Sequence, residues 1–195
     1  MGSCVSLEDN GTNKIPNLLQ EYTGTSELPD LLFRYNALVS GSVVLKALDP
    51  CAKWPLSDID LYVHQEHAVA FETELRKHIN LSKPWISLPE LCSSEYDCLK
   101  VPGIVRVRTL KILNLKQRRS IQLMVIQSGH PLSGHIRKTF DISLLVNYYD
   151  GCKVTCVYPH HVTARCGVVL IPWHINLNKR IEKYTKRGYT IKWRN

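Results

Sequence analysis

The order of apolar and polar residues along the chain changes its period several times. Residues 58–63, Asp-Ile-Asp-Leu-Tyr-Val, alternate as a half-buried strand does. Residues 66–81 repeat their apolar side chains at helical spacing, with Val69, Leu75 and Ile79 among them. The pattern therefore predicts a strand that is followed by an amphipathic helix.

The first part of the chain has a different character. Residues 1–27 are rich in Ser, Gly, Asn and Thr and show no sustained period, which predicts a flexible leader. Downstream, residues 31–40 are predicted to lead into a strand. Gly41 and Ser42 then allow a sharp turn into a helix at 43–48. This region is therefore predicted to be a strand–turn–helix unit.

The second half of the chain predicts further strands and helices. Residues 104–115 and 120–126 are rich in β-branched and apolar side chains and flank a basic turn, which indicates a hairpin. The other predicted elements are a short helix at 132–140, strands near 142–148 and 153–157, and a final helix at 177–187 that ends at Gly188. This order predicts an α/β (α+β) fold, with a mixed sheet flanked by helices and a C-terminal extension of strand and helix.

Size and composition limit the possibilities. At 195 residues and 22.3 kDa, the chain is long enough for one well-packed core, and residues 28–195 are expected to form a single domain. The chain lacks the ~18 consecutive apolar residues that span a bilayer and has no signal-peptide pattern. Seven cysteines without repeated close pairs fit a reducing compartment. We therefore expect an intracellular, cytoplasmic protein.

Charge points to anionic partners. The formal net charge is +8 and the pI is about 9.2, which favours nucleic acid, nucleotide phosphates or an anionic membrane surface. Basic residues cluster at 111–119 and 179–194, and the plain interpretation is two solvated faces. The second cluster also contains Tyr184, Tyr189 and Trp193. These rings either stack on bases or pack a C-terminal helix onto the core.

Two short segments carry the candidate chemistry. Asp58 and Asp60 project from one face of the predicted strand with their roots about 6–7 Å apart, near enough to hold one or two magnesium ions. The turn at Gly41 and Ser42 adds backbone amides and a small hydroxyl, which suit the phosphates of a nucleoside triphosphate. Glycine also lets a phosphate approach the backbone closely. Together these residues predict a metal–nucleotide site.

These segments resemble those of the nucleotidyltransferase superfamily, which includes polymerase β-like enzymes, poly(A) polymerases and minimal nucleotidyltransferases. The resemblance rests on residues 39–42, Val-Ser-Gly-Ser, and residues 57–63, Ser-Asp-Ile-Asp-Leu-Tyr-Val, in the order strand, helix, strand. It covers about 38–126. A closer likeness, to uncharacterised nucleotidyltransferase-like proteins of fungi and large DNA viruses, extends to the short segments 121–124, 140–141 with Asn147, and 184–189.

The resemblance implies a third carboxylate on a neighbouring strand, and this chain departs from it there. Residues 120–125 offer Gln122 at that position. A glutamine carbonyl can ligate magnesium, but it carries no charge and cannot act as a general base. The metal site is then weakened, or the protein binds without turnover. Asp97 and Asp141 are alternative third acids, although neither lies in the expected strand.

Two classes of function remain open from the sequence. The first is a magnesium-dependent nucleotidyltransferase, or a catalytically reduced relative that binds nucleotide only. In an active protein an acceptor hydroxyl attacks the α-phosphate and pyrophosphate leaves; the acceptor could be a protein, an RNA or a small molecule. The second is a non-enzymatic adaptor on the same fold, which binds nucleic acid or another partner through the basic C-terminal region.

Two further patterns are weaker. Residues 1–6, Met-Gly-Ser-Cys-Val-Ser, match N-myristoylation at Gly2, and Cys4 can take a second acyl chain to give a peripheral membrane anchor. The alternatives are a chance match or a Met-Gly-Ser remnant of cloning. Cys152, Cys156, His160 and His161 suggest a zinc site by their residue types. Four residues of strand span about 13 Å, which is too far for shared tetrahedral coordination by the two cysteines.

Overall fold

The computed structural model describes residues 6–82, 85–87, 103–113, 119–174 and 176–194, with the backbone alone for 85–87. Most of the strands form one seven-stranded sheet in the order β3-β4-β5-β2-β1-β6-β7. The central pair, β2 and β5, is parallel, and the other neighbouring strands are antiparallel. The strands are β1 Leu38–Ser40, β2 Asp58–His64, β3 Trp85–Ser87, β4 Ile104–Ile112, β5 Arg119–Ile126, β6 Asn147–Tyr149 and β7 Val154–Cys156.

Helices surround this sheet, and a second, small sheet follows it. Strands β8 (Cys166–Val168) and β9 (Thr190–Lys192) form a parallel pair. The helices are α1 Leu7–Thr23, α2 Leu28–Arg34, α3 Ser42–Leu48, α4 Ala68–His78, α5 Leu132–Thr139, α6 Pro159–Thr163 and α7 Leu177–Lys186, with a 3-10 helix at Ser143–Leu145. The predicted α/β class, with a mixed sheet flanked by helices, is confirmed.

Alternation along β2 separates the core from the polar face. Ile59 and Leu61 are completely buried, whereas Asp58 and Asp60 project to the other side. Helix α4 lies on the apolar face. Its Glu72 forms a 2.6 Å ion pair with Arg108, a residue of β4 that projects from the same face. The two aspartates are therefore displayed on the face opposite α4.

The N-terminal segment differs from the prediction. Residues 7–23 form helix α1, so the predicted flexible leader is wrong for this stretch. Ile15, Leu19 and Tyr22 are buried at spacings of four and three residues, which is the apolar stripe of a helix. Gly11, Pro16 and the asparagines between residues 10 and 17 obscure that stripe in the sequence. Gly11 also permits close packing, because a Cβ there would lie 2.9 Å from Leu48 of α3.

Most other predicted elements are confirmed. They are α3, β2, α4, the β4–β5 hairpin, α5, β7 and α7 with its end at Gly188. Within the segment 31–40 that was predicted to lead into a strand, residues 31–34 belong to helix α2, which has Pro29 in its first turn, and only Leu38–Ser40 is extended. The predicted strand at 142–148 is likewise divided into the 3-10 helix and β6. Val69 of α4 is 74% exposed, so its assignment to the apolar face is wrong.

The short elements α6, β8 and β9, which contain five, three and three residues, were also not predicted from the sequence. Segments of this length carry too few apolar positions for a period to be recognised. Among the described residues, no helix is long and apolar enough to cross a bilayer.

Candidate functional site

A cleft lies where the turn before α3 and strand β2 face helix α7. Its volume is about 610 Å³, with the open solvent at its mouth included. Four of its lining residues are those predicted from the sequence, Gly41, Ser42, Asp58 and Asp60. Its other lining residues come from α7 and from the segments between α5 and β6: Phe140, Leu145, Asn176, Lys179, Arg180, Lys183 and Tyr184. The two predicted halves of the site therefore share one cleft.

The turn at Gly41 brings the backbone against a carboxylate. Gly41 has φ 75° and ψ −141°, a conformation that side-chain-bearing residues avoid. A Cβ at this position would lie 2.5 Å from Oδ2 of Asp60, so the absence of a side chain is required by contact as well as by conformation. Ser42, which begins α3, is 7% exposed. The turn and Asp60 are thus packed together as one structure.

The two carboxylates have different surroundings. Asp58 is half-buried and accepts a short hydrogen bond from the hydroxyl of Ser57. Asp60 is 9% exposed and lies beneath Gly41. Because they are two positions apart on β2, both side chains leave the sheet on the cleft side.

Gln122 lies beside Asp60 in the sheet. The parallel pairing of β2 and β5 sets Asp60 opposite Gln122, and partners in such a register project from the same face. Oε1 of Gln122 is buried and forms no hydrogen bond with a described residue. Gln122 is not among the residues that line the cleft. Its register agrees with the third-carboxylate position, and its role there stays a prediction.

Of the two alternative third acids, one lies outside the described residues and the other forms an ion pair. Asp97 lies outside them. Asp141 is completely buried and forms a 2.8 Å ion pair with Nε of Arg180. Within the described ranges, no group of three or more His, Cys, Asp or Glu side chains could hold a metal ion. Among the described residues, no third carboxylate therefore joins Asp58 and Asp60 in a metal-binding group.

The candidate zinc ligands also form no metal-binding group among the described residues. Cys152 is exposed, whereas Cys156 is buried, and burial raises the pKa of its thiol to about 11. His161 lies on α6, where its Nδ1 is 2.8 Å from the hydroxyl of Ser143. Cys152, Cys156 and His161 therefore lie in different surroundings.

Helix α7 provides the positive side of the cleft. Lys179, Arg180 and Lys183 line it opposite the two aspartates. The basic cluster is evident in the sequence, but its position in the cleft was not predicted. The sequence does contain a signal for which face of α7 is polar. Leu177 and Tyr184 mark its buried face, and Lys179 and Lys183 are four residues apart on another face. Neither Lys179 nor Lys183 forms an ion pair with a described residue.

The aromatic residues of the basic cluster divide into two groups. Tyr184 and Tyr189 are 3% and 2% exposed, and the hydroxyl of Tyr189 donates a 2.5 Å hydrogen bond to Asp49. Burial raises the pKa of Tyr184 well above its usual value. Trp193, in contrast, is 57% exposed. The two tyrosines therefore pack the C-terminal region onto the core, and Trp193 remains available for stacking.

Tyr22 supports the strands of the site from helix α1. Its hydroxyl donates a 2.7 Å hydrogen bond to the carbonyl of Ser57 and accepts one of 3.0 Å from the N–H of Ser120. These residues flank or begin the site-bearing parts of β2 and β5. Burial raises the pKa of Tyr22 to about 12, so the hydroxyl keeps its proton at neutral pH. Arg119 adds a second tie, with hydrogen bonds to the carbonyls of Glu21 and Tyr22.

The acylation motif is only partly described. Gly2 and Cys4 lie outside the described residues. Ser6, the last residue of the motif, is the N-cap of α1, and its hydroxyl accepts a hydrogen bond from the N–H of Asp9. At most five residues of this sequence therefore precede the first helical cap.

No protein-family model matches this chain, and a search of the curated proteins finds no match either. The resemblance to nucleotidyltransferases therefore rests on the segments 39–42 and 57–63, and it stays a prediction. Those two segments supply Gly41, Ser42, Asp58 and Asp60, the side of the cleft that faces α7.

Proposed function

We propose that this chain is a nucleotidyltransferase-like protein that binds a magnesium–nucleoside triphosphate in the cleft and has little or no transfer activity. One observation carries the proposal. The glycine–serine turn and the two aspartates share a cleft with Lys179 and Lys183, and these two lysines have no carboxylate partner among the described residues. Carboxylates alone suit a cation and lysines alone suit an anion, whereas the combination suits an anion that carries a metal.

Each part of the cleft has a distinct task in this proposal. Asp58 and Asp60 hold magnesium, a hard cation that prefers oxygen ligands. Gly41 and Ser42 receive a phosphate on the backbone, where no side chain obstructs its approach. Lys183 and its neighbour Lys179 balance the negative charge that remains on the metal-bound triphosphate. When bound, magnesium neutralises phosphate charge and polarises the phosphoryl group.

Transfer requires one more group. An acceptor hydroxyl would have to lose its proton, attack the α-phosphorus and displace pyrophosphate by breaking the α,β-phosphoanhydride bond. Gln122 cannot take that proton, and it gives a metal a neutral ligand instead of a charged one. Binding is therefore better supported than turnover. A protein, an RNA and a small molecule all remain candidate acceptors.

The first test is calorimetric titration of the four nucleoside triphosphates with and without magnesium. We expect binding that depends on magnesium, and no binding in any condition would remove the proposal. Replacing Lys183 with Met keeps most of the side-chain volume and should weaken binding roughly tenfold, the usual scale of one charge-assisted contact. Lys186→Met is the matched control, because Lys186 lies on the same helix, is exposed and pairs with Glu182.

A second candidate is supported by the surface beyond the cleft. Lys186, Lys192, Trp193 and Arg194 are all exposed, and we call them the C-terminal basic surface. An exposed tryptophan among cations is suited to single-stranded nucleic acid, which stacks its bases and neutralises its phosphates there. Salt-dependent RNA binding that is lost in Trp193→Ala would favour this adaptor function. RNA binding that is unchanged in Trp193→Ala would argue against this surface.

A further inference from the structure

Arg180 is the cleft cation whose guanidinium has side-chain contacts inside the protein. Its Nε lies 2.8 Å from Oδ2 of Asp141 in an ion pair, and its Nη2 lies 2.5 Å from Nδ1 and 3.0 Å from Nε2 of His174. Nη1 forms no hydrogen bond with any residue that the structure describes. Arg180 lines the cleft and also a smaller adjoining cavity that His174 lines. Two nitrogens of the guanidinium thus contact protein side chains, whereas Nη1 has no such contact among the described residues.

Asp141 is committed to this arrangement. Its side chain is completely buried, and a buried carboxylate needs a partner to offset the cost of removing it from water. Its ion-pair contacts within the described residues are Arg180 and, at 4.0 Å, His174. Burial and the charge of Arg180 lower the pKa of His174, which keeps the imidazole neutral near pH 7. Arg180 is therefore the group that balances the charge of Asp141.

We propose that Asp141 is a positioning residue of the nucleotide site, which holds the Arg180 guanidinium so that its remaining N–H groups face the triphosphate. The inference rests on the proposed function. A flexible arginine loses much of its rotamer freedom when it binds a ligand, whereas an arginine that is already held at two positions has lost it on folding. Asp141 thereby contributes to nucleotide affinity although it does not line the cleft.

The pairing also gives Arg180 a different task from its lysine neighbours. Because Asp141 offsets the charge of Arg180, the net positive charge of α7 in the cleft comes from Lys179 and Lys183. Arg180 contributes hydrogen bonds of defined direction, since the N–H groups of a planar guanidinium point in fixed directions and those of an ammonium rotate. Removing Asp141 would leave the positive charge of Arg180 without a partner, which favours nucleotide binding. It would also remove the contact that orients the guanidinium, which opposes nucleotide binding.

The experiment compares magnesium–ATP affinity by calorimetry in folded wild type, Asp141→Asn, Arg180→Met and the double variant. We expect each single variant to bind roughly tenfold more weakly, the scale of a lost charge-assisted hydrogen bond. The double variant should bind like Arg180→Met, because Asp141 acts through Arg180. Unchanged or tighter binding in Asp141→Asn overturns the inference, and so does a further loss in the double variant.

A second buried aspartate–arginine pair provides the matched control. Asp49 is 4% exposed and its Oδ2 lies 3.5 Å from Nε of Arg165, and neither residue lines the cleft. Asp49→Asn should lower stability in the same way as Asp141→Asn and leave ATP affinity within about twofold of wild type. A tenfold loss in Asp49→Asn would mean that breaking any buried pair disturbs the cleft, which overturns a specific role for Asp141.

Arg180→Lys provides an independent reading if Asp141→Asn does not fold. This variant keeps the charge and loses the fork, so we expect its affinity to fall nearly as far as in Arg180→Met. Wild-type affinity in Arg180→Lys overturns the inference. The proposed function fails separately: a wild type that binds no triphosphate overturns both, whereas a binding wild type with an unaffected Asp141→Asn overturns the inference alone.

Discussion

The cleft and the C-terminal basic surface are both cationic, but they differ in what accompanies the cations. In the cleft, Lys179 and Lys183 share the lining with the carboxylates of Asp58 and Asp60 and with the turn at Gly41. On the C-terminal basic surface, the cations are fully exposed and accompanied by Trp193. Mixed charge in a concave site favours one metal-bearing anion, whereas an excess of positive charge on an open surface attracts any polyanion. The same basic composition therefore supports two different kinds of binding.

The largest effect should separate these two regions. We expect the double variant Asp58→Ala, Asp60→Ala to lose magnesium-dependent nucleotide binding by more than about a hundredfold, since outer-shell changes at metal sites alone cost about ten- to a hundredfold. RNA binding at low salt should survive, because phosphate contacts to lysine and arginine need no metal. Calorimetry with ATP and filter binding with single-stranded RNA measure the two. Loss of both activities in a folded variant would contradict the separation.

The next effect concerns the wall of the cleft. Gly41→Ala should lower the free energy of unfolding by about 1–3 kcal/mol, because its backbone conformation and its contact with Asp60 both oppose a side chain. Nucleotide affinity should fall as well, since the new methyl group occupies the phosphate approach. Denaturant unfolding and calorimetry measure these changes.

Gly129→Ala is the control for backbone strain alone. Gly129 also has a positive φ, 87°, but no atom lies within 4 Å of its added Cβ. This variant should lose about 1 kcal/mol of stability and keep its nucleotide affinity. Equal losses of affinity in both variants would show that Gly41 has no special relation to the cleft.

A smaller change should sharpen the metal side of the comparison. Gln122→Asp shortens the side chain by one methylene and restores a negative charge beside Asp60. Magnesium should bind several-fold more tightly, on the order of threefold to tenfold, because ligand charge sets the affinity of hard-cation sites. Nucleotidyl transfer would also rise if the acceptor site is intact. Magnesium titration in the presence of ATP measures the effect.

Gln127→Asp controls for the added charge itself. Gln127 follows β5 and is exposed, so the same charge change there should leave magnesium affinity unchanged. If magnesium affinity is equal in wild type and Gln122→Asp, the third-carboxylate interpretation of Gln122 is wrong.

The smallest effect concerns attachment, which touches neither region directly. In a eukaryotic cell we expect Gly2 to carry myristate and part of the protein to be membrane-bound, with Cys4 acylation or basic residues as the second signal. Gly2→Ala should abolish the membrane fraction, and Cys4→Ser should reduce it. Intact-mass measurement and fractionation test both, and an unmodified Gly2 in the wild type would remove the hypothesis.

The sequence by itself determined the elements whose signal is local. The alternation of Asp58, Ile59, Asp60 and Leu61 reflects a strand with one buried face, and Gly41 marks a turn that few other residues permit. The hairpin, α4 and α7 were likewise predictable, because their periods extend over enough residues to be counted. Charge and the carboxylate pair also predict a metal-bearing anion as the ligand, and this stays a prediction.

Only the tertiary structure decided which distant residues meet. Helix α1 is stabilised by its packing on α3 and by the hydrogen bonds of Tyr22 to β2 and β5, contacts that no local period reveals. The cleft that Lys183 and Asp58 share, the register of Gln122 and the pairing of Asp141 with Arg180 also join positions far apart in the chain. Such contacts depend on the summed packing of the whole core, so a local segment can carry the chemistry of a site without fixing its partners.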